Sequence, residues 1–261
     1  MGTMTGRTGL VIGIANERSY AWHIAQSLKD NGARCLYTHL PSESMERRVR
    51  GAVKALGEED PWLRPLEATD EAQMAEVFQA AAEENSGRLD FLVHSIAFAD
   101  KTYLQPGNFH TTPKDVYLQA IEISAYTLVS MARAVRPYMS EHGGSIIALS
   151  YYGAEKVIPG YNVMGVAKAA LESTSMYLAA ELGREKIRVN VISGGPLKTL
   201  SAMGVGGFSK MLDICAERAP LGRTIEGKEV GDTAMWLLSD LSSGVTGQVI
   251  YVDAGYATIG L

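Results

Sequence analysis

Two residues that could act together on a developing negative charge, Tyr161 and Lys168, stand seven positions apart. Seven residues are about two helical turns, so both side chains would share one helix face with roughly 20° of drift. A tyrosine hydroxyl can donate a hydrogen bond to an oxygen that gains negative charge, and a nearby ammonium group favours that charge. The alternative is a core tyrosine and a surface lysine on an amphipathic helix, which describes most such pairs.

A turn rich in small residues near the start of the chain favours the catalytic interpretation. Residues 13–21 read GIANERSYA and follow a short apolar run. Small residues let the backbone approach a pyrophosphate, and the start of the following helix offers free N–H groups with a partial positive charge. The usual G-x-G-x-x-G pattern is absent, so this segment alone is equally compatible with a simple strand-to-helix turn.

The residues after the second and third apolar runs bear on which dinucleotide would bind. After the second run, Thr38, His39 and Leu40 offer neither an acid for a ribose 2′-hydroxyl nor a basic residue for a 2′-phosphate. Leu40 would lie beside the adenosine ribose, and we therefore expect NADH to be preferred over NADPH. After the third run, Glu67 and Ala68 could hold the adenine edge, although a solvated loop acid is an equal alternative for Glu67.

Short apolar runs rich in Val, Ile and Leu recur along the chain and do not alternate with polar residues, which indicates strands covered on both faces. They lie at residues 10–12, 34–38, 62–66, 91–94, 145–149, 188–192 and 249–252. Segments with helical spacing lie between them, among them 20–31, 72–84, 114–139 and 163–182.

This alternation predicts an α/β fold with a doubly wound, Rossmann-type parallel sheet. No internal repeat or Pro/Ser-rich linker divides the chain, so we expect residues 1–261 to form a single dinucleotide-binding catalytic domain. Ligands of such sheets bind at the carboxyl ends of the strands, where strand order reverses.

Composition excludes several other classes of protein. The chain has 261 residues, of which 46% are hydrophobic and 20% charged, as in ordinary globular proteins. A net charge of -5 disfavours nucleic-acid binding. We expect no membrane association and a cytoplasmic location, because no apolar run could span a bilayer and no leader opens the sequence. Cys35 and Cys215 form no ligand spacing, so no metal site is predicted.

Several strings of residues together point to one family. They are GIA at 13–15 with SYA at 19–21, HSIAFA at 94–99, SYYGAE at 150–155, PGYNVMGVAK at 159–168, ISGGPLKTL at 192–200 and GQVIYVDAG at 247–255. Through them the sequence resembles the short-chain dehydrogenase/reductase superfamily over essentially its full length. Within that superfamily it resembles the NADH-dependent enoyl-acyl-carrier-protein reductases of bacterial fatty-acid synthesis.

The spacing of the tyrosine and lysine separates this branch from ordinary members of the superfamily. Those members carry Tyr-x3-Lys, whereas four residues before Lys168 this chain has Met164. Where they keep a catalytic serine stands Tyr151, and their relay asparagine has no evident counterpart in residues 121–124. A carbonyl reductase needs an acid beside the new alkoxide. The resemblance therefore implies reduction of a conjugated carbon-carbon double bond.

The resemblance also implies roles for individual residues. Tyr161 would donate a hydrogen bond to the thioester oxygen, Lys168 would bind the nicotinamide ribose, and Tyr151 would line the pocket and order the substrate. The residues expected to contact the cofactor are Gly13, Ser19, Tyr20, Leu40, Glu67, Ala68, Ile96, Lys168, Leu197, Lys198, Thr199, Leu200 and Ser201. Those expected to contact the substrate are Ala99, Tyr151, Tyr161, Met164, Met203, Val205 and Phe208.

Residues 196–212 predict a helical substrate lid. Apolar positions from Leu200 to Phe208 are interrupted by Gly204, Gly206 and Gly207, which allows a helix but holds it weakly. The alternative is a loose surface helix.

By resemblance, the substrate is enoyl-acyl carrier protein, an acidic partner, and the enzyme is a homotetramer. Lys198 and Lys210 could contact the carrier, but Gly206 and Ser209 stand where relatives place basic residues. The apolar stretch 249–261 could help to bury a subunit interface.

Two competing functions are weighed against this one. A 3-oxoacyl or other carbonyl reductase of the same superfamily is disfavoured by Met164 and by the seven-residue spacing. A non-catalytic dinucleotide-sensing protein is disfavoured because Tyr161 and Lys168 are both present.

Overall fold

A computed structural model describes residues 2–197 and 208–259 of the chain, except for the side chains of residues 208–210. Seven strands run through it: β1 (Thr8–Ile12), β2 (Arg34–His39), β3 (Leu63–Pro65), β4 (Phe91–His94), β5 (Gly144–Ser150), β6 (Ile187–Gly194) and β7 (Val249–Val252). The α-helices are α1 (Tyr20–Asp30), α2 (Glu43–Lys54), α3 (Glu71–Glu83), α4 (Lys114–Ile121), α5 (Thr127–Val135), α6 (Val163–Leu182), α7 (Phe208–Arg218) and α8 (Gly227–Leu238).

The seven strands form one parallel sheet in the order β3-β2-β1-β4-β5-β6-β7. β1 pairs with β2 on one side and with β4 on the other, with Ile12 opposite His94. Strand order therefore reverses at β1, which opens a crevice between the carboxyl ends of β1 and β4. The prediction of a doubly wound parallel sheet is confirmed.

Two hydrophobic cores, one on each face of the sheet, explain why the strands read as continuous apolar runs. Val11 and Phe91 pack with residues of α1, α2 and α8, whereas Leu10 and Leu92 pack with residues of α3, α5 and α6. All five residues of β1 and all four of β4 are buried. Successive side chains of a strand point to opposite faces, so each strand supplies apolar residues to both cores.

The segment predicted as one helix over 114–139 is interrupted. A π-helical turn at Glu122–Tyr126 separates α4 from α5, and a 3₁₀ turn at Arg136–Tyr138 follows α5. Within the π turn, the Ser124 hydroxyl accepts from the Phe98 backbone N–H at 3.0 Å, and Thr127, at the start of α5, donates its hydroxyl to the Ile123 carbonyl at 2.7 Å. Side chains that bind backbone groups compete with regular helix geometry, which apolar spacing does not reveal.

The region of the predicted lid is described only at its two ends. Pro196 and Leu197 are not helical, α7 begins at Phe208, and residues 198–207 lie outside the described part. Across the ranges that are described, no helix combines the length and the apolar character needed to cross a membrane.

Candidate active site

The turn after β1 requires glycine at its first position. Gly13 has φ +111°, and a Cβ placed there would lie 2.1 Å from the Ser95 carbonyl oxygen. Ser95 follows β4 directly, and its N–H donates to the Ile12 carbonyl at 3.0 Å. The backbone segments after β1 and β4 are thus in direct contact at the point of strand reversal, and no side chain fits between them.

The first turn of α1 faces the crevice without an acidic residue. The Ser19 hydroxyl donates to the Asn16 carbonyl at 2.6 Å and does not cap the helix. Tyr20 donates its hydroxyl to the Gly195 carbonyl, and burial raises the pKa of Tyr20 well above its ordinary value. The helix start keeps its partial positive charge, as a site for a phosphate group requires.

A cavity of about 530 Å³ extends from this turn to the start of α6. It is lined by residues that follow β1, β4, β5 and β6, so the strand ends meet at one site. Among the predicted cofactor and substrate residues, the cavity brings together Gly13, Ser19, Tyr20, Ile96, Ala99, Tyr151, Tyr161, Met164, Lys168 and Leu197.

Two tyrosines form one wall of the cavity. The rings of Tyr151 and Tyr161 meet edge to face with centroids 5.1 Å apart. Gly153 makes room for this arrangement, because a Cβ there would lie 2.4 Å from the Tyr161 ring. Burial, with a smaller contribution from Tyr151, raises the pKa of Tyr161 far above its ordinary value. Tyr161 therefore stays protonated and can donate a hydrogen bond.

The start of α6 is held in place by its neighbours. Asn162 has φ +45°, and its side-chain amide donates to the carbonyls of Tyr103 at 2.6 Å and Gln105 at 2.8 Å. Gly165 packs against the Gly153 carbonyl, where a Cβ would approach to 2.6 Å. These contacts fix where α6 begins, and with it the position of Tyr161.

Lys168 is a buried cation at the floor of the cavity. Its side chain is 6% exposed, and Nζ donates to the Leu149 carbonyl at 2.6 Å. Burial lowers the pKa of Lys168 to about 8, and the carboxylate of Glu172 opposes that decrease. One ammonium hydrogen is engaged by Leu149, so the remaining hydrogens can serve a ligand.

The far wall of the cavity is apolar. Met164, 7% exposed, belongs to a small buried cluster with Leu104 and Ala167, against which Ala99 and Tyr161 pack. Met164 has no group able to take part in proton transfer. Tyr151 donates its hydroxyl to the sulfur of Met211 on α7 at 3.2 Å, so α7 closes the cavity on that side.

Three predicted cofactor residues lie away from this cavity. Leu40 follows β2 and is 53% exposed, and Ala68 is buried after β3. The Glu67 carboxylate accepts hydrogen bonds from the N–H and hydroxyl of Thr69, at 3.2 and 2.9 Å. This pattern is typical of a loop acid, the alternative left open for Glu67, and the adenine contacts stay a prediction.

Several other predicted residues cannot be placed. Lys198, Thr199, Leu200, Ser201, Met203 and Val205 fall outside the described residues. Phe208 is the first residue of α7, but its side chain is not described.

The cavity is also lined by residues for which the sequence suggested no role. They are Ala15, Asn16, Ser95, Ala97, Phe98, Asp100, Lys101, Leu104, Leu149, Ser150, Gly194, Gly195, Pro196 and Met211. Most lie at the carboxyl end of a strand or in the loop that follows it, so the rule that ligands bind at carboxyl strand ends could have identified them.

The geometry fits a dinucleotide. At one end of the cavity, the close backbone contact at Gly13, which a Cβ would block, lies beside the uncapped start of α1. The buried ammonium group of Lys168 lies at the other end of the same cavity. The first pair of features suits a pyrophosphate, and the ammonium suits ribose hydroxyls.

Comparison with known proteins agrees with this geometry. A family model described as enoyl-(acyl carrier protein) reductase matches residues 13–257. The chain is 49% identical over 260 residues to an enoyl-[acyl-carrier-protein] reductase [NADH] of Synechocystis, covering 99% of each chain. It is 46% identical over 254 residues to the corresponding protein of Bacillus subtilis, covering 97% of each.

Solved structures give the same result. The Bacillus cereus enoyl-acyl carrier protein reductase with NADP+ and indole naphthyridinone has a TM-score of 0.95 and 45% identity, with full coverage of both chains. The Anaplasma phagocytophilum reductase in complex with NAD has a TM-score of 0.93 and 42% identity, covering 100% of this chain and 97% of that one. The chain belongs to the enoyl-acyl-carrier-protein reductase family, as its motifs predicted.

Proposed function

We propose that the protein reduces the 2,3-double bond of trans-2-enoyl thioesters on acyl carrier protein with NADH, the last reductive step of the fatty-acid elongation cycle. Residues 1–261 act as a single dinucleotide-binding catalytic domain. The observation that carries this proposal is the placement of Tyr161 and Lys168 on one cavity, with apolar Met164 where a carbonyl reductase would carry its acid.

Tyr161 stabilises the charge that develops during reduction. The bound nicotinamide supplies a hydride to the β-carbon of the substrate, and negative charge then collects on the thioester oxygen. Tyr161 donates a hydrogen bond to that oxygen and keeps its proton, because burial raises its pKa. A proton added at the α-carbon completes the saturated acyl chain. Tyr151 packs edge to face on Tyr161 and fixes its ring orientation.

Lys168 holds the nicotinamide ribose. Its ammonium is fixed by the Leu149 carbonyl and can donate to two ribose hydroxyls. Met164 and Ala99 supply an apolar wall that suits an acyl chain.

NADH is the cofactor, as the name of the Synechocystis relative states for that protein. Leu40 is exposed at the end of β2, beside His39 rather than an arginine or lysine. The Bacillus cereus structure nevertheless contains NADP+. Steady-state kinetics with both cofactors test the preference, and a kcat/KM tenfold or more in favour of NADPH would contradict it.

The carrier protein and the subunit arrangement are further parts of the proposal. The acyl chain is delivered by the acidic carrier protein, and the protein acts in the cytoplasm as a homotetramer. Support for self-association comes from β7, an edge strand of four apolar or aromatic residues that are each only partly buried, and from exposed Leu118 on α4. Light scattering of the purified protein tests the assembly, which a monomer would contradict.

The reaction is tested by following NADH oxidation with a trans-2-enoyl thioester beside a 3-oxoacyl thioester. Turnover of the enoyl substrate alone supports the proposal. Turnover of the oxo substrate alone identifies a carbonyl reductase, and NADH binding without turnover of either identifies a dinucleotide sensor.

A tyrosine variant tests the assigned role. Tyr161→Phe removes one donor to the developing charge, which typically lowers the rate about 100- to 1000-fold, while NADH still binds. Tyr177→Phe is the matched control, because Tyr177 lies on the same helix and is 77% exposed. Wild-type turnover in Tyr161→Phe would contradict the assignment.

A further inference from the structure

The carboxyl end of β5 holds two residues of α6 that lie one helical turn apart. The Leu149 carbonyl accepts from Lys168 Nζ at 2.6 Å, and the neighbouring Ser150 hydroxyl donates to Glu172 Oε1 at 2.5 Å. Residues four apart share one helix face, so Lys168 and Glu172 project toward the same strand end. An ammonium group and a carboxylate, more than 4 Å apart, are therefore held at the same strand end by consecutive residues of one strand.

This arrangement takes a carboxylate away from water. Glu172 is half-buried and Ser150 is almost fully buried. Among the described residues, Glu172 has no ion pair within 4 Å and is held by the serine hydroxyl. Removing a carboxylate from water is unfavourable unless nearby positive charge or hydrogen bonds compensate. The mechanism proposed above gives Glu172 no role.

We propose that Glu172 is a positioning residue for Lys168: fixed by Ser150, its carboxylate supplies the negative charge that keeps the buried Lys168 ammonium protonated and able to bind the nicotinamide ribose. This inference rests on the role of Lys168 in the proposed function. Both Lys168 and Ser150 line the cavity, whereas Glu172 does not, so Glu172 acts through its neighbours.

The charges around Lys168 agree with this role. Burial lowers the pKa of Lys168 to about 8, and Glu172 is the group that raises it. On β4, His94 is uncharged at neutral pH, because burial lowers its pKa to about 3. Burial raises the pKa of Glu172, and Glu155, which accepts a hydrogen bond from Tyr251 beyond the end of β5, adds to that increase; the Ser150 hydrogen bond and the Lys168 charge oppose it. Tyr161 stays protonated, so Glu172 is the compensating anion.

A purely structural role makes a different prediction. If Glu172 only ties α6 to β5, glutamine serves as well, because its amide oxygen also accepts the Ser150 hydrogen bond. If its charge matters, Glu172→Gln lets Lys168 lose its proton at a lower pH. The substitution therefore separates the two roles.

The experiment measures the NADH dissociation constant of the purified protein by fluorescence titration between pH 6 and pH 9.5. At pH 6 Lys168 is protonated in both proteins, so Glu172→Gln should match wild type within about 2-fold. At pH 8 we expect the variant to bind NADH about 3- to 10-fold more weakly, because one pH unit changes a protonation equilibrium tenfold. Glu181→Gln, an exposed glutamate of the same helix, should follow wild type throughout.

Three further measurements complete the test. Glu172→Asp keeps the charge and should restore most of the affinity at pH 8. Ser150→Ala leaves the carboxylate free to turn into solvent and should weaken binding at pH 8 in the same direction, which keeps the test available if Glu172→Gln folds poorly. The pH profile of kcat/KM for NADH should show the same displacement.

Two outcomes would overturn the inference. One is NADH binding in Glu172→Gln that equals wild type at every pH, as a structural tie that glutamine can replace would give. The other is equal weakening at every pH, as a tie that glutamine disrupts would give. NADH binding needs no enoyl substrate, so these results stand apart from the test of the proposed reaction. Failure of wild type to reduce the enoyl thioester would overturn the proposed function and leave the binding data intact.

Discussion

Replacing Lys168 with methionine should make the protein more stable while it weakens cofactor binding. Burial lowers the pKa of Lys168 from 10.5 to about 8. Because one pH unit corresponds to about 1.36 kcal/mol, the protonated side chain costs the folded state on the order of 3 kcal/mol. Methionine has similar length and no charge, but it loses the hydrogen bond to Leu149, worth about 1 kcal/mol. The net gain is about 2 kcal/mol.

The gain should depend on pH in a defined way. Below pH 8 the lysine holds its proton in both the folded and the unfolded state, so the full cost is present. Between about pH 8 and 10.5 the folded protein has released the proton and the unfolded chain has not, and the cost shrinks with rising pH. The stability advantage of Lys168→Met is thus largest at neutral or lower pH, falls to zero at about pH 10, where the remaining cost equals the lost hydrogen bond, and becomes a small disadvantage above that pH.

Thermal unfolding without cofactor measures this effect. A gain of about 2 kcal/mol should raise Tm at pH 7 by about 4–8 °C in a protein of this size. Lys114→Met, at an exposed position, is the control and should change stability by no more than about 0.5 kcal/mol. The reasoning fails if Lys168→Met melts at or below the wild-type temperature at pH 7, or if its advantage is the same at pH 10.

Two glycine substitutions test the geometry of the cavity. Gly13→Ala should abolish NADH binding and lower Tm, because its Cβ would lie 2.1 Å from a backbone oxygen at φ +111°; Gly51→Ala, with open space around it, should be neutral or stabilising by up to about 1 kcal/mol. A Gly13→Ala protein that binds NADH normally would contradict the first expectation. Gly153→Ala should displace the Tyr161 ring and lower kcat about 10- to 100-fold, approaching the loss of the donor itself. NADH binding by titration should change less than about 3-fold, and unchanged kcat would show that the ring position is not critical.

The sequence predicts the sheet well because each strand can be recognised from the apolar residues within its own few positions. Strands buried on both faces must be apolar throughout, and the run at 91–94 coincides with buried β4. The run at 249–252 coincides with β7, the partly buried edge strand. Helix α6 was predicted with its observed bounds, since two apolar cores and a glycine-marked end define it. Helix α2 was not named from sequence, because only Val49, Ala52 and Val53 of its twelve residues are buried among charged neighbours.

Parts of the site depend on contacts that the spacing of residues along the chain does not predict. The pairing of Ser150 with Glu172 and the π turn at Glu122–Tyr126 both arise when strands and helices meet in space. Residues 121–124 show no counterpart of the relay asparagine of ordinary relatives, and only the structure shows that Ser124 in that turn is bound to the Phe98 backbone. Tyr161 and Lys168 could be identified because a helix fixes their spacing.

The position of β1 between β2 and β4 has a consequence for how the chain folds. During synthesis β1 can pair with β2 early, but its other edge stays open until β4 has been made, and the cavity gains its floor only when β5 and α6 follow. Pairings between distant segments form slowly, and an open strand edge can meet another chain in the meantime. Because the residues that line the cavity extend from Gly13 to Met211, a ligand bound there can stabilise only chains in which the segments from β1 to α7 have folded.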